Sequence, residues 1–95
     1  MKNNYGTLTK RKVIELLYKY DACFSITAHK ILDIEIIKTK GETDCANILT
    51  KSAVGVERYF ISCYGINVVC LDDNERKTSL ITNENPFLSE VMKND

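Results

Sequence analysis

The sequence has no tryptophan, one proline and one histidine among its 95 residues, and its formal net charge at pH 7 is zero. It contains no apolar run of about 18 residues, the length that predicts a transmembrane helix. Its first residues, MKNNYGTLTKRK, lack the apolar core of a signal peptide. We therefore expect a cytoplasmic chain that forms one domain with a thin core, and a thin core favours association with a partner subunit.

Residues for catalysis or metal binding are also scarce. The sequence offers no glycine-rich phosphate loop, no nucleophile motif and no metal-ligand cluster, and His29 is its only imidazole. The four cysteines match neither a zinc-binding nor a redox spacing, so we expect free thiols packed as small apolar groups: Cys23, Cys45, Cys63 and Cys70. The chain is therefore predicted not to be an enzyme, with no catalytic residue, bound metal or cofactor.

The zero net charge conceals an uneven distribution. Residues 1–20 carry five basic side chains and one acidic side chain, whereas residues 66–95 carry three basic and six acidic ones. A nucleic-acid-binding domain usually shows an overall basic surplus, and this chain has none. Any binding to nucleic acid would therefore depend on local geometry.

The N-terminal segment has the spacing of an amphipathic helix. Thr7 or Thr9 provides an N-terminal cap for a helix that runs to about Tyr20. The apolar residues of this segment fall on one face at helical intervals: Leu8, Val13, Leu16, Leu17 and Tyr20.

Residues 25–38 fit two patterns. Ala28, Ile31 and Leu32 keep helical spacing after Ser25, which is a good cap. The stretch LDIEI alternates apolar and acidic residues, which is the spacing of a strand. We favour the helix because about 14 residues pass without a turn signal, and Gly41 then follows a basic last turn.

The rest of the chain predicts two more helices followed by a hairpin. Residues 42–49 fit a short helix, and Ser52 is positioned to cap a second helix over about 53–64 that ends at Gly65. That second helix would bury one stripe of side chains: Val56, Tyr59, Phe60 and Cys63. INVVCL and RKTSLIT then read as strands around the turn residues DDNE, and residues 86–93 fit a last short helix.

This order of elements is typical of a winged helix-turn-helix. ANILTKSAVGVERYF, residues 46–60, resembles the helix-turn-helix of MarR/SlyA-type regulators, with Ser52, Val56 and Arg58 at matching places. DDNERKTSLIT resembles the wing of that family and of the small SarA-type proteins, at these positions: Asp72, Glu75, Arg76, Lys77, Leu80 and Thr82.

The resemblance implies a mainly α fold with a small β-hairpin, that is, an α+β winged helix-turn-helix. Residues 1–95 would form a single winged-helix domain, with the helix-turn-helix at about 42–64 and the wing hairpin at about 66–82. Family members also have long terminal helices that build a dimer. This chain offers only residues 8–20 and 86–93 for that purpose.

The function implied by the resemblance is transcriptional regulation by DNA binding. A recognition helix would enter the major groove of double-stranded DNA with these residues near the bases: Lys51, Ser52, Ala53, Gly55, Glu57 and Arg58. Arg76 at the wing tip would approach the minor groove, oriented by Asp72 or Asp73, and Lys77 would contact the backbone. The partners would be DNA and either a second copy of the chain or a longer regulator.

A second hypothesis is a small α+β protein that binds protein and not DNA, such as an inhibitor or an immunity protein. Zero net charge, free cysteines and the strand-like LDIEI favour it. These two hypotheses differ in their secondary structure, since a chain dominated by strand favours the second and removes the winged helix. A third hypothesis is a winged-helix anti-regulator that binds protein and not DNA and antagonises a longer regulator by pairing with it; the short terminal helices and zero net charge fit it.

Overall fold

The computed structural model describes residues 7–21, 24, 30–38, 43–53, 55–72 and 78–87. Over these residues the chain forms a helix followed by five strands: α1 Lys10–Tyr20, β1 Lys30–Ile37, β2 Cys45–Ser52, β3 Gly55–Ser62, β4 Gly65–Cys70 and β5 Thr78–Thr82. The five strands make one sheet in sequential order, and every neighbouring pair is antiparallel. The described chain is therefore a β-meander with one helix packed against it.

The predicted winged helix-turn-helix is wrong. Its two central helices, expected over 42–49 and 53–64, are replaced by β2 and β3, which form a hairpin with Ser52 opposite Gly55. Pairing brings Ile48 opposite Tyr59, and both side chains are buried. The helical interval between Tyr59 and Val56 is therefore coincidental, because strand pairing buries alternate residues instead.

The helix favoured over residues 25–38 is also wrong in its described part. Lys30–Ile37 is strand β1, and its isoleucines at 31, 34 and 36 are half-buried while the acidic residues between them are exposed. The alternation in LDIEI was therefore the decisive signal. The register shifts between Ile31 and Asp33, which marks a β-bulge at Leu32. Residues 25–29 lie outside the described part of the chain.

The N-terminal helix is confirmed. α1 begins after Thr9, whose side chain accepts a hydrogen bond from the backbone N–H of Lys12 at 3.1 Å. Of the two candidate caps, Thr9 is thus the one that fills an N-cap position. Three residues of the predicted apolar face belong to α1 and are buried: Val13, Leu16 and Leu17.

The C-terminal hairpin is confirmed as two antiparallel strands, β4 and β5, with a register shift between Ile66 and Asn67. It is the end of a larger sheet and not an isolated wing. The turn residues 73–77 lie outside the described residues. Of the last predicted helix, 86–93, only Pro86 and Phe87 are described, and both are buried.

The core lies between α1 and one face of the sheet, which we call the inner face. Side chains directly opposite one another on neighbouring strands share a face. Ile48 pairs with Tyr59, and Tyr59 pairs with Val68, so the core extends across β2, β3 and β4. Phe24 adds an edge-to-face contact with Tyr59 at 5.8 Å between ring centroids. The core residues are Leu8, Val13, Leu16, Leu17, Phe24, Ala46, Ile48, Tyr59, Ile61, Ile66, Val68 and Phe87.

Two polar contacts fasten the helix to the sheet. Asp44, which is 7% exposed, accepts the backbone N–H of Leu8 and the Lys38 ammonium through Oδ2, each at 2.9 Å. At the other end of α1, the Tyr59 hydroxyl donates to Asp21 Oδ2 at 2.7 Å. Because both ends of α1 are fixed on the inner face, this helix leaves the opposite face of the sheet uncovered.

Candidate functional site

The candidate site is the opposite side of the sheet, which we call the outer face. In the order of the strands from β1 to β5 its residues are Lys30, Asp33, Glu35, Ile37, Cys45, Asn47, Leu49, Lys51, Val56, Arg58, Phe60, Asn67, Val69, Thr78 and Leu80. No described helix or strand covers this face, since α1 packs against the inner one. A sheet that is packed on one side and open on the other normally alternates apolar and polar residues.

The outer face departs from that norm because it retains apolar side chains. Leu49, Phe60 and Val69 are half-buried, and Leu80 is 60% exposed. They lie on four consecutive strands but alternate between two rows, with Arg58 between Leu49 and Val69 and Asn67 between Phe60 and Leu80, so they form a diagonal apolar band from β2 to β5. An apolar surface that crosses several strands and is bordered by charge is characteristic of a surface that docks on another protein.

A shallow depression lies beside this band. Its volume is about 140 Å³, and Asp33, Glu35, Asn47, Leu49 and Arg58 line it. Leu49 lies directly opposite both Asp33 on β1 and Arg58 on β3, so it separates their charges by two strand intervals. The Asn47 amide donates to Glu35 Oε1 at 3.4 Å, a long hydrogen bond that holds the floor of the depression.

The charged groups around the depression have no ionic partner within the described part of the chain. Asp33, Glu35 and Arg58 are exposed, and the two described ion pairs, Arg11 with Glu15 and Lys38 with Asp44, lie elsewhere. Exposed charges of opposite sign that face one depression without meeting are free to form ion pairs with another molecule.

The structure brings together only two of the residues predicted to contact DNA. Lys51 and Arg58 share the outer face, because Lys51 pairs with Val56 and Leu49 pairs with Arg58. Glu57 precedes Arg58 in β3, so it lies on the other side of the sheet. It pairs with Thr50, which is on the core side, and therefore lies away from the outer face. The recognition helix that was to present these residues is not present among the described residues.

The remaining predicted contacts fall at the turn between β2 and β3 or outside the described residues. Ser52 ends β2, the exposed Ala53 follows it, and Gly55 begins β3 with a φ of +123°. Arg76 and Lys77 lie outside the described part. Asp72, expected to orient Arg76, accepts the backbone N–H of Val56 at 2.9 Å and so stabilises the start of β3.

Sequence reasoning missed Asp33, Glu35, Asn47, Leu49 and Phe60. The signal that could have found the first two is the alternation in LDIEI, which places both acidic residues on one side of a strand. Asn47 and Leu49 carried no such signal, because CANILT fits a buried helix turn as well as a strand.

Comparison with protein-family models, with curated proteins and with solved structures gave no match. Within the described ranges, no group of three or more histidine, cysteine or acidic side chains is arranged to hold a metal ion. Among the described residues, no helix is long and apolar enough to cross a lipid bilayer. Cys45, Cys63 and Cys70 form no disulfide bond.

Proposed function

We propose that this chain is a small protein-binding protein that acts through the outer face of its sheet. The observation that carries the proposal is the apolar band, in which Leu49, Phe60 and Val69 continue to the exposed Leu80, beside charges that have no ionic partner among the described residues. Inhibitors, immunity proteins and anti-regulators belong to this class.

Three further features support the proposal. The described chain is dominated by strand, which is the secondary structure that favoured the protein-binding hypothesis over the winged helix. Its formal net charge is zero, which suits a protein surface better than a polyanion. Its three described cysteines form no disulfide bond, which supports a reducing, cytoplasmic location as part of the same proposal.

Site-specific photocrosslinking in the producing cells tests the proposal. A benzoylphenylalanine in place of Phe60 puts an aromatic photoprobe in the apolar band. The same probe in place of Tyr18, which is 53% exposed on α1, is the matched control. We expect ultraviolet light to give discrete protein adducts from position 60, whether to another protein or to a second copy, and none from position 18.

Adducts that form equally from both positions, or only from position 18, would move the binding surface away from the outer face. A charge placed in the band beside the probe, as in Leu49→Lys, should reduce the adducts formed from position 60. Leu49 lies on the outer face and is not one of the core residues, so this substitution leaves the core intact.

A second candidate keeps DNA as the partner and replaces the recognition helix by the sheet. Lys30 lies directly opposite Lys51 on the neighbouring strand, and like charges in that position destabilise a sheet unless an anion lies between them. Strands read DNA in some proteins. This candidate ranks second because Asp33 and Glu35 share the same face and repel phosphate.

Fluorescence anisotropy with a labelled duplex separates the two candidates. Protein binding as the function predicts no saturable DNA binding at physiological salt. Binding that weakens steeply with added salt and with Lys51→Ala would favour the DNA candidate, because phosphate contacts release counterions.

A further inference from the structure

We infer that the occupant of the outer face is a second copy of this chain, docked face to face so that Arg58 of each protomer lies over Asp33 of the other. The inference rests on the proposed function, because it names the protein that the outer face binds. The observation that supports it is the order of side chains across β1, β2 and β3.

That order is complementary to itself under a two-fold rotation. Asp33, Leu49 and Arg58 lie directly opposite one another in one row across three strands. Strands are about 4.8 Å apart, so the carboxylate and the guanidinium lie about 5 Å to either side of Leu49. A two-fold axis along β2 over Leu49 therefore brings Arg58 over the partner's Asp33 and one leucine over the other, which is an isologous contact.

The depression provides the space for this contact. It lies between the carboxylates and Arg58 over Leu49 and Asn47, and its volume is about 140 Å³. Each protomer places Arg58 over one Asp33 and offers its own Asp33 to the other Arg58, while Glu35 lies over the row that contains Phe60. A partner with charge of one sign would pair with only one of Asp33 and Arg58, whereas a second copy pairs with both.

Three groups oppose the contact: Lys51, its neighbour Lys30 on β1, and Glu35, which the axis brings over an aromatic ring. Lys51 lies on the outer side of β2, two residues beyond Leu49, so the axis along β2 brings its two copies towards each other. Lys51 is exposed, and its long side chain relieves part of this repulsion by turning into solvent. Removing the charge should therefore strengthen the dimer, which gives a prediction of opposite sign to that for Arg58.

The contact is small. Overlap of three strands of eight residues covers a footprint of roughly 400 Å² per protomer. A standard stable interface buries about 800 Å² per partner. We therefore expect a reversible dimer with a dissociation constant in the micromolar range or weaker, and a monomer on dilution.

Sedimentation velocity over about 10 µM to about 1 mM measures this equilibrium directly. The wild type should shift from monomer to dimer across the series. Arg58→Glu should raise the dissociation constant at least about tenfold, since it places a carboxylate against Asp33 of the other protomer. Lys51→Ala should lower the dissociation constant, and Arg11→Glu on α1, a matched reversal away from the face, should leave it unchanged.

The decisive experiment mixes two variants in which the charge at one side of the contact is reversed. The Arg58→Glu chain and the Asp33→Arg/Glu35→Arg chain should each be monomeric, because each brings like charges together in its own dimer. An equimolar mixture should form heterodimers, because the heterodimer again has two ion pairs. In one of these pairs the acidic and basic positions are exchanged. Far-ultraviolet circular dichroism of each variant establishes that these exposed substitutions leave the sheet intact.

A wild type that stays monomeric to about 1 mM overturns the inference, as does a dimer that ignores Arg58→Glu or a mixture that stays monomeric. The proposed function fails on a different readout. If the photoprobe at position 60 captures another protein while the purified chain stays monomeric, the outer face binds protein and only the second copy is wrong. If position 60 captures nothing and the chain is monomeric, both proposals fail.

Discussion

Gly65 begins β4 after the turn that joins it to β3, and its backbone φ is +129°, a region that side chains with a Cβ rarely adopt. A Cβ at this position would overlap the carbonyl oxygen of Thr82 on the neighbouring strand β5. Gly55 has a similar φ of +123°, but there the Cβ would meet the Asp72 carboxylate at 2.6 Å. The two glycines therefore differ in whether backbone or side chain blocks a substitution.

Gly65→Ala should lower the free energy of unfolding by at least about 2 kcal/mol, because the strained backbone and the overlap with a fixed carbonyl add together. Gly55→Ala should cost less, since the Asp72 side chain can rotate away. Urea unfolding of both variants measures the difference, and equal losses would contradict this account of the β3–β4 turn.

Asp44 connects the segment before α1 to the start of β2. Asp44→Ala should cost about 2–3 kcal/mol, because the Leu8 N–H loses its acceptor where the carboxylate is buried. Lys38→Ala removes the other partner of Asp44, but the Lys38 side chain is 63% exposed, so its loss should cost less than about 1 kcal/mol. Urea denaturation should show this asymmetry, and a larger loss for Lys38→Ala would refute it.

At the scale of the elements, α1 shows what the sequence predicts well. Its apolar face and its approximate start can be predicted, because local spacing decides both. The choice between the two candidate caps required coordinates, which show Thr9 Oγ1 accepting the N–H of Lys12.

Thr9→Ala should therefore destabilise the chain by about 1 kcal/mol, the usual value of an N-cap side chain. Thr7→Ala, an exposed change two residues earlier, is the matched control and should alter stability by less than about 0.5 kcal/mol. Thermal unfolding of both variants checks the pair, and a larger effect at position 7 would show that the helix begins elsewhere.

The strands β1 to β3 show where sequence reasoning fails. Val56, Tyr59 and Phe60 are spaced as one helical stripe, yet in β3 Tyr59 faces the core and Phe60 faces the outer side. The turn between Ser52 and Gly55 lacks the Asn-Gly or Asp-Gly pair that is the strongest sequence signal of a two-residue hairpin. The local sequence therefore does not predict this turn. The winged-helix likeness then supplied a reason to prefer helix, and pairing between strands decided otherwise.

The candidate site was harder to predict than the fold. It combines Asp33, Leu49 and Arg58 from three strands, and their meeting depends on a register that includes a bulge at Leu32. Lys51 and Arg58 were selected as candidate contacts, but for a groove of DNA and on a helix. Residue types were thus partly recognised, while their common face was not.

At the scale of the whole molecule, the described chain has two layers and one open side. The helix covers the inner face, and the outer face keeps an apolar band that a small chain would gain by covering. A domain of this size buries a limited core, so covering the band by a partner adds stability that folding alone does not supply.

Nuclear magnetic resonance of the ¹⁵N-labelled chain over a concentration series tests the central claim most directly, because it reports each amide separately. The account predicts strand-like chemical shifts over 45–52 and 55–62, with concentration-dependent changes confined to the outer face around Asp33, Leu49 and Arg58. Changes that cluster on α1, an absence of any change with concentration, or helical shifts over 55–62 would contradict it.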